Sequence, residues 1–343
     1  MQKSKQTIKC KNCSSFKIVK KGFQKNRLQT LQKYQCKDCN SIFTINTEQA
    51  EGKTYPLKVI LKALSTYNLG YSLEKTAEII NKNYNLTIST KTISNWISEY
   101  KNICTFARLR KQTTKNYTPK TIIQKHILNH IQPYTFKYHK AKLNILTKEN
   151  PKFKIIKNYF EKISSKEFPH HIFTYNKNNS NNQRASQLKF NHLKIKTLSK
   201  SNQANKLATL ALQLSKSNRD RHQLIQDFML INDSTTIAAE IPVYLTNWDA
   251  GYLRGQNGFS FPLNDYQTSI TGHIDILQIR NGLIHILDYK PEADKTNATE
   301  QLTIYALALS RKLNLELYYS KAAWFDENFY NEFFPLHAVY EKR

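Results

Sequence analysis

Thr271-Gly-His-Ile-Asp-Ile-Leu-Gln-Ile-Arg-Asn-Gly-Leu-Ile-His-Ile-Leu-Asp-Tyr-Lys290 reads as two β-strands joined by a tight turn. Asn281-Gly282 between two apolar runs is the signal of a two-residue type I′ hairpin. That turn pairs Arg280 with Leu283. Counting outward, Ile279 meets Ile284, Leu277 meets Ile286 and Asp275 meets Asp288. Side chains alternate along a strand, so these pairs share one face, apolar near the turn and acidic at the open end. Lys290 lies two residues beyond Asp288 on the same face. Opposed like charges destabilise a bare sheet. A divalent cation reverses the sign, and hard oxygen ligands converging there suit Mg2+ or Mn2+.

Asp275 followed by Asp288-Tyr289-Lys290 resembles the PD-(D/E)XK nuclease signature, and its surroundings resemble the RecB-like branch of that superfamily. Gly272-His-Ile-Asp275 is similar to that branch's Gly-x-x-Asp strand, and Leu287-Asp-Tyr-Lys290 to its Asp-Tyr-Lys strand. Gln301-Leu-Thr-Ile-Tyr305 resembles its Gln-x-x-x-Tyr helix, and Glu240-Ile-Pro-Val-Tyr its earlier Glu-x-Pro strand. His222 stands on a helical stretch where the branch carries a metal-binding histidine. The resemblance covers about residues 205–330. It implies an α/β restriction-endonuclease-like core, a mixed sheet flanked by helices. It also implies a Mg2+ or Mn2+ site on Asp275, Asp288, His222 and the Tyr289 carbonyl. Lys290 then positions the attacking water or neutralises developing charge, which suits a compact point charge. Glu240, Gln301 and Tyr305 complete the implied catalytic set, and the reaction is phosphodiester hydrolysis.

Bland readings stand beside several of these assignments. His222 falls one turn before Ile225 and serves equally as a packed core histidine. Glu240 is as well explained by a structural role as by metal binding. Gln301 and Tyr305 are four apart and share a helix face, so Tyr305 also fits a plain core position. His273 lies on the carboxylate face and reads as a supporting residue, not a ligand.

The amino-terminal part makes an independent case. Cys10-Lys-Asn-Cys13 and Cys36-Lys-Asp-Cys39 are two Cys-x-x-Cys knuckles, and four thiolates at that spacing make a closed tetrahedral zinc site. No apolar signal segment precedes them and the chain is not cysteine-dense, which argues against a secreted disulfide framework. So short a ribbon has almost no core, and zinc would supply folding energy on the order of 10–16 kcal/mol. The segment about 8–45 resembles the zinc ribbon at the front of many insertion-sequence transposases. Cys104, alone on a helical run, reads as a small buried hydrophobe. No cysteine follows it, which excludes the iron–sulfur cluster that several RecB-like nucleases carry.

Between about 55 and 104 the pattern is helical. Leu57, Ile60, Leu61, Leu64 and Tyr67 form one apolar face, ended by Gly70. Ser72 starts a second helix with Leu73, Ala77 and Ile80 inward. After a short turn through Asn85–Ile88, Ser89 caps a third with Ile93, Trp96, Ile97 and Tyr100 inward. Thr90, Lys91, Ser94 and Asn95 occupy its outer face, and short polar donors there suit a recognition helix in the major groove. This resembles the helix-turn-helix that follows the ribbon in transposases; a generic three-helix bundle is the competing reading. No acidic triad of the usual transposase kind is evident, and no Gly-x-x-x-x-Gly-Lys-[Ser/Thr] occurs.

The remaining middle is less informative. Residues 111–126 read as a linker or basic arm, Thr135–Leu146 as a strand or hairpin, and Pro151–Ser164 as a helix. Asn176–Asn182 is an Asn-rich loop, and a helix is expected from about Gln203 to Ser215. The segment either wraps the nuclease core or forms a small subdomain. Composition agrees with a polyanionic partner: 52 Lys+Arg against 25 Asp+Glu give a net charge of +27. No transmembrane run or lipidation motif supports a membrane partner.

The expected organisation is therefore a multi-domain α+β chain. A zinc ribbon spans 1–48, a three-helix helix-turn-helix domain 55–105, a basic linker and accessory region 106–200, and the nuclease domain 201–343. The expected function is a cytoplasmic, metal-dependent DNA nuclease targeted by its amino-terminal modules and linked to mobile elements, repair or defence. The alternative is a non-catalytic DNA-binding regulator or mobile-element accessory with an idle nuclease core. Target site, polarity, endo- or exonuclease mode and oligomeric state are not encoded legibly.

Overall fold

The computed structural model of the chain describes residues 8–10, 12–25, 30–44, 54–174, 182–190, 195–215, 217, 219–256, 258–260 and 269–340. Most of the Asn-rich loop at 176–182 lies outside them. The chain divides into two units, Met1–Lys62 and Ala63–Arg343. The first holds an antiparallel sheet of β1 (Ile18–Lys25), β2 (Thr30–Cys36) and β3 (Ile42–Thr44).

Three helices follow: α1 (Leu57–Asn68), α2 (Leu73–Tyr84) and α3 (Thr90–Tyr100). The caps explain their starts. Ser72 Oγ accepts from the Lys75 amide and Ser89 Oγ from the Thr92 amide, each satisfying an amide that the helix leaves unpaired. Asn85 ends α2 in the left-handed region at φ 50°. Thr76, Ala77 and Ile80 of α2 and Ile93, Trp96 and Tyr100 of α3 are buried, and α2 packs on α3.

The rest builds one mixed sheet. Its elements in chain order are α4 (Arg110–Thr113), β4 (Ile123–Asn129), β5 (Pro133–His139), α5 (Lys140–Glu149), α6 (Ile155–Ile163), β6 (Asn182–Arg184), β7 (Leu198–Ser199) and α7 (Gln203–Leu212). There follow α8 (Arg221–Asn232), β8 (Thr236–Thr246), α9 (Asn247–Arg254), β9 (Ser269–Arg280), β10 (Leu283–Tyr289), α10 (Thr299–Leu313), β11 (Ser320–Phe325), β12 (Tyr330–Phe333) and α11 (Leu336–Val339). The nine strands run β4-β5-β8-β9-β10-β11-β12-β7, with β6 alongside β9. The β10–β11 and β6–β9 pairs are parallel and the others antiparallel. Helices flank the sheet. This is a mixed α+β architecture consistent with a restriction-endonuclease-like core.

The turn chemistry sets the central register. Asn281 and Gly282 have φ of 53° and 71°, the left-handed pair that a type I′ turn requires. Arg280 then pairs with Leu283, Ile279 with Ile284 and Leu277 with Ile286, and the ladder runs to Ile276–Leu287. The next pair outward is Asp275 and Asp288.

The middle segment joins this sheet through β4, β5, β6 and β7. The stretch 111–126 is not simply an arm, because Ile122 is buried and β4 starts at Ile123. Within Thr135–Leu146, strand gives way to helix at Lys140. The helix over Pro151–Ser164 forms, opening with a 3-10 turn. That from Gln203 ends at Leu212 instead of Ser215.

One buried lysine fixes a helix that matters below. Lys142 on α5 is inaccessible, and its Nζ donates to the carbonyls of Leu230 (2.6 Å), Thr236 (3.2 Å) and Asp233. A cation at carbonyls left free by a helix C-terminus stabilises it. Burial pulls the Lys142 pKa down to about 7. Asn232, the last residue of α8, donates to Ser65 Oγ and accepts from Asn68 Nδ2.

Candidate functional site

Asp275 and Asp288 close the hairpin as a carboxyl pair. Asp288 is buried, whereas the Asp275 side chain is 18% exposed. The Tyr289 amide donates to Asp275 Oδ2 at 3.3 Å, and Lys290 Nζ lies 2.8 Å from Asp288 Oδ2. Burial and the adjacent Asp275 charge push the Asp288 carboxyl well above the usual carboxylate range. Burial opposes ionisation of Asp275 too, but hydrogen bonds from His222 and Asp288 and the Lys290 charge hold it below its ordinary value. Two carboxyls this close share a proton in the absence of a cation.

α8 brings His222 to the pair. Its Nδ1 lies 3.4 Å from Asp275 Oδ2, and its ring meets the edge of Tyr289 at 5.0 Å. The His222 side chain is 46% exposed, which sets aside the packed-core reading. One turn on, buried Gln226 donates from Nε2 to Glu240 Oε1 at 2.6 Å. Glu240 sits on β8 opposite Asp275, between the Ala239–Ile276 and Ile241–Ile274 pairs. Its φ is 56°, a left-handed conformation that costs a non-glycine residue of order 1–3 kcal/mol. Burial, then repulsion from Asp275, raise its pKa to about 7.

The helix after the hairpin supplies the roof. Gln301 Nε2 donates to the Tyr305 hydroxyl at 2.9 Å. Tyr305 is buried against β9, and Gly272 makes that approach possible. A Cβ added at Gly272 would stand 2.2 Å from Tyr305 Cε1, a distance no real Cβ tolerates. Gly272 and Tyr305 are thus two halves of one contact.

Glu240, Gly272, Asp275, Lys290, Gln301 and Tyr305 line one side of a cavity of about 260 Å3. The other side was not legible in the sequence. It comprises His130, Tyr134 and Phe173 with Arg184, and it exists only because β4, β5 and β6 join the sheet far from their place in the chain. His130 Nδ1 lies 2.8 Å from His273 Nε2, and its Nε2 3.1 Å from His170 Nδ1. Burial holds the His130 pKa down to about 4, and burial with the neighbouring His130 and Arg184 holds His273 well below its ordinary value. His273 therefore supports the site wall as a neutral ring. Gln226 did leave a signal, since it stands four residues after His222 on one helix face.

The donor chemistry fits a hard divalent cation. Two carboxyls and one imidazole lie together at a partly open edge. Among the described residues, however, only the four cysteines bring their ligand atoms all within 4.8 Å of one another. Cys10 Sγ and Cys39 Sγ are 3.5 Å apart, as are Cys13 Sγ and Cys36 Sγ. Sulfurs about 2.3 Å from a tetrahedral zinc stand roughly 3.8 Å apart, so this cluster fits a zinc ribbon. Cys104 is buried. On α3, Lys91 and Asn95 are exposed and Thr90 and Ser94 half-buried. No helix among the described residues is long and apolar enough to cross a membrane.

No curated protein and no solved structure matches the chain. Residues 183–328 match the model of the PD-(D/E)XK nuclease superfamily, a superfamily of metal-dependent nucleases, and that span holds every residue of the carboxylate site.

Proposed function

We propose that this protein is a metal-dependent DNA nuclease of RecB-like type, brought to DNA by a zinc ribbon and a helix-turn-helix of the kind found in transposases. The observation that carries the nuclease reading is the buried Asp288 beside Asp275, with Lys290 Nζ at 2.8 Å and His222 Nδ1 at 3.4 Å. A Mg2+ or Mn2+ ion held by Asp275, Asp288, His222 and the Tyr289 carbonyl would lower the pKa of a bound water and neutralise charge at the scissile phosphate. Lys290 is already tethered to Asp288. It is placed to steady the attacking water and to meet the negative charge that grows on the phosphate. Glu240, held by Gln226, places a further carboxyl opposite Asp275 at the edge of the pair. Tyr305 and Gln301 hold the roof against β9.

The DNA-reading part rests on the Ser89-capped helix α3, on the four-cysteine cluster and on the net charge of +27. The test is cleavage of plasmid DNA with Mg2+ or Mn2+ by the unsubstituted protein and by Asp288→Ala. Loss of cleavage with DNA binding retained is expected, because the readers lie elsewhere in the chain. Full activity in Asp288→Ala protein would refute the catalytic assignment. Binding without any cleavage by the unsubstituted protein would favour the idle-core alternative.

A further inference from the structure

The cavity beside the carboxyl pair extends well past the atoms that hydrolysis needs. Its far wall is the tip of the β4–β5 hairpin, and its chemistry differs from that of the catalytic end. The Tyr134 ring lies flat on His273, 3.6 Å between centroids and 11° between planes. His130 lies flat on Phe173 at 4.3 Å and 14°. The Tyr134 hydroxyl accepts from Gln132 Nε2 at 2.7 Å and from Arg184 Nη2 at 2.9 Å. Ile131 at the tip is 52% exposed.

Planar rings with a few polar groups at their edge suit a flat, hydrogen-bonding ligand. A phosphate alone would gain nothing from stacked rings, and an aliphatic chain would gain nothing from the donor hydrogens that Gln132 and Arg184 keep beyond their bonds to Tyr134. The cavity is continuous with the place where the scissile phosphate belongs. The ligand that satisfies both ends is therefore part of the same strand. A base within a duplex is stacked and paired and cannot reach a walled cavity without being extruded, which costs a few kcal/mol. We propose that this cavity takes one unpaired nucleobase adjacent to the phosphate that is cut, stacked on the Tyr134–His273 pair, and that Tyr134 thereby determines which strands are cut. The inference rests on the nuclease reading above for the identity of the strand. The stacking surface itself is independent of metal.

Two measurements separate the pocket from the chemistry. The first uses cleavage in Mg2+, with the cut site mapped on a single-stranded oligonucleotide and the flanking bases then removed one at a time as abasic residues. Losing the base from the pocket should slow cleavage about tenfold, the size expected when one base loses an aromatic partner. Tyr134→Ala should be slow on the intact strand and indifferent to the abasic change. Tyr134→Phe, which keeps the ring and loses the Gln132 and Arg184 contacts, should keep the sensitivity. Equal rates for the unsubstituted protein with either flanking base absent overturn the proposal, and that comparison needs no variant that must fold. The second measurement replaces Mg2+ by Ca2+ and follows the emission of 2-aminopurine spaced along a thymidine strand. A change on binding that Tyr134→Ala abolishes supports the pocket even where nothing is cleaved, in which case only the nuclease reading falls. No cleavage and no emission change removes both.

Discussion

The four-cysteine cluster and the carboxylate pair are both proposed here to hold a metal, yet they stand in opposite relation to the fold. In the amino-terminal sheet segment, residues 8–44, Phe16, Phe23 and Ile42 are 58%, 69% and 54% exposed, and Cys10 and Cys36 are the buried apolar residues among those described. There is almost nothing else for that segment to fold around. The carboxylate pair instead ends a hairpin packed in the large core that includes Leu277, Ile284, Ile286 and Leu302. That core packs around the hairpin and holds two carboxyls side by side, where burial opposes the ionisation of both. On the proposed reading, the structural metal would make its fold possible, and the catalytic metal would offset a cost that burial of the carboxyls has already set.

The largest effect should come from breaking the first half of this contrast. Zinc removal forfeits binding free energy on the order of 10–16 kcal/mol, far more than so small a sheet can replace. The purified protein should carry one zinc per chain. A strong chelator should abolish the ribbon's structure while leaving the thermal transition of the sheet domain in place. Metal analysis of a chain truncated before residue 54 should find no tightly bound zinc, and a full equivalent there would contradict the ribbon assignment.

Gly272→Ala tests the second half through packing. The new Cβ would collide with the Tyr305 ring, so either the strand or the helix must shift. Overpacking of this kind costs about 1–3 kcal/mol of stability. A shift of about 1 Å near the reacting atoms costs about a hundredfold in rate. Activity should therefore fall much more than stability. Pairing Gly272→Ala with Tyr305→Ala should recover part of the stability, and failure to recover any would mean that the two positions are not coupled.

Electrostatic strain at the pair gives a smaller, pH-dependent signal. Glu240 has a folded pKa of about 7 against an ordinary value of 4.5. Below about pH 4.5 the carboxyl is protonated in both states and costs nothing. Between there and pH 7 the unfolded chain releases the proton first, so stability falls as pH rises. Above pH 7 the penalty is constant, on the order of 3 kcal/mol. In metal-free protein, Glu240→Gln should thus be more stable than its parent at pH 8 and level with it near pH 4. The comparison between the two proteins matters, because buried neutral His130 pulls the other way on acidification. An advantage for Glu240→Gln that does not change across this range would show that burial of Glu240 is not the source of the strain.

The sequence carried the local half of each site and little of the distant half. The Cys-x-x-Cys spacing points by itself to a four-cysteine cluster. Asn281-Gly282 fixes a register, and the register places Asp275 against Asp288. Ser72 and Ser89 announce helix starts because a cap is a contact between neighbours in sequence. His222 was ambiguous, since a helical pattern cannot say whether one residue faces core or cleft until the helix has docked. His130, Tyr134 and Arg184 were invisible for the same reason carried further. Their places depend on β4, β5 and β6 entering a sheet whose partner strands lie 102 residues on from β5 (Lys137 to Ala239) and 87 on from β6 (Arg184 to Thr271), and no periodicity records that pairing. The left-handed Glu240 was equally hidden, because nothing in Ala238-Ala-Glu-Ile-Pro242 demands it.

The smallest predicted effect tests the proposed DNA reader, and it separates two kinds of contact. Asn95 is exposed on α3, opposite the buried Ile93 and Trp96. A side-chain amide there can pair with a base edge in the major groove, and losing such a contact costs about 1–3 kcal/mol for the preferred sequence. Lys115, by contrast, is exposed in the basic stretch after α4 and can offer only charge to a phosphate. Asn95→Ala should weaken binding to a selected site and leave scrambled DNA unchanged. Lys115→Ala should weaken both alike and lower the slope of log K against log salt by about one. Affinities on matched and scrambled duplexes at several salt concentrations distinguish the two. If Asn95→Ala behaves like the lysine change, α3 is one more basic surface and the sequence preference lies elsewhere. If neither change has any effect and residues 1–105 do not bind DNA at low salt, the amino-terminal modules are protein-interaction elements, and the nuclease core must find DNA through its own cleft.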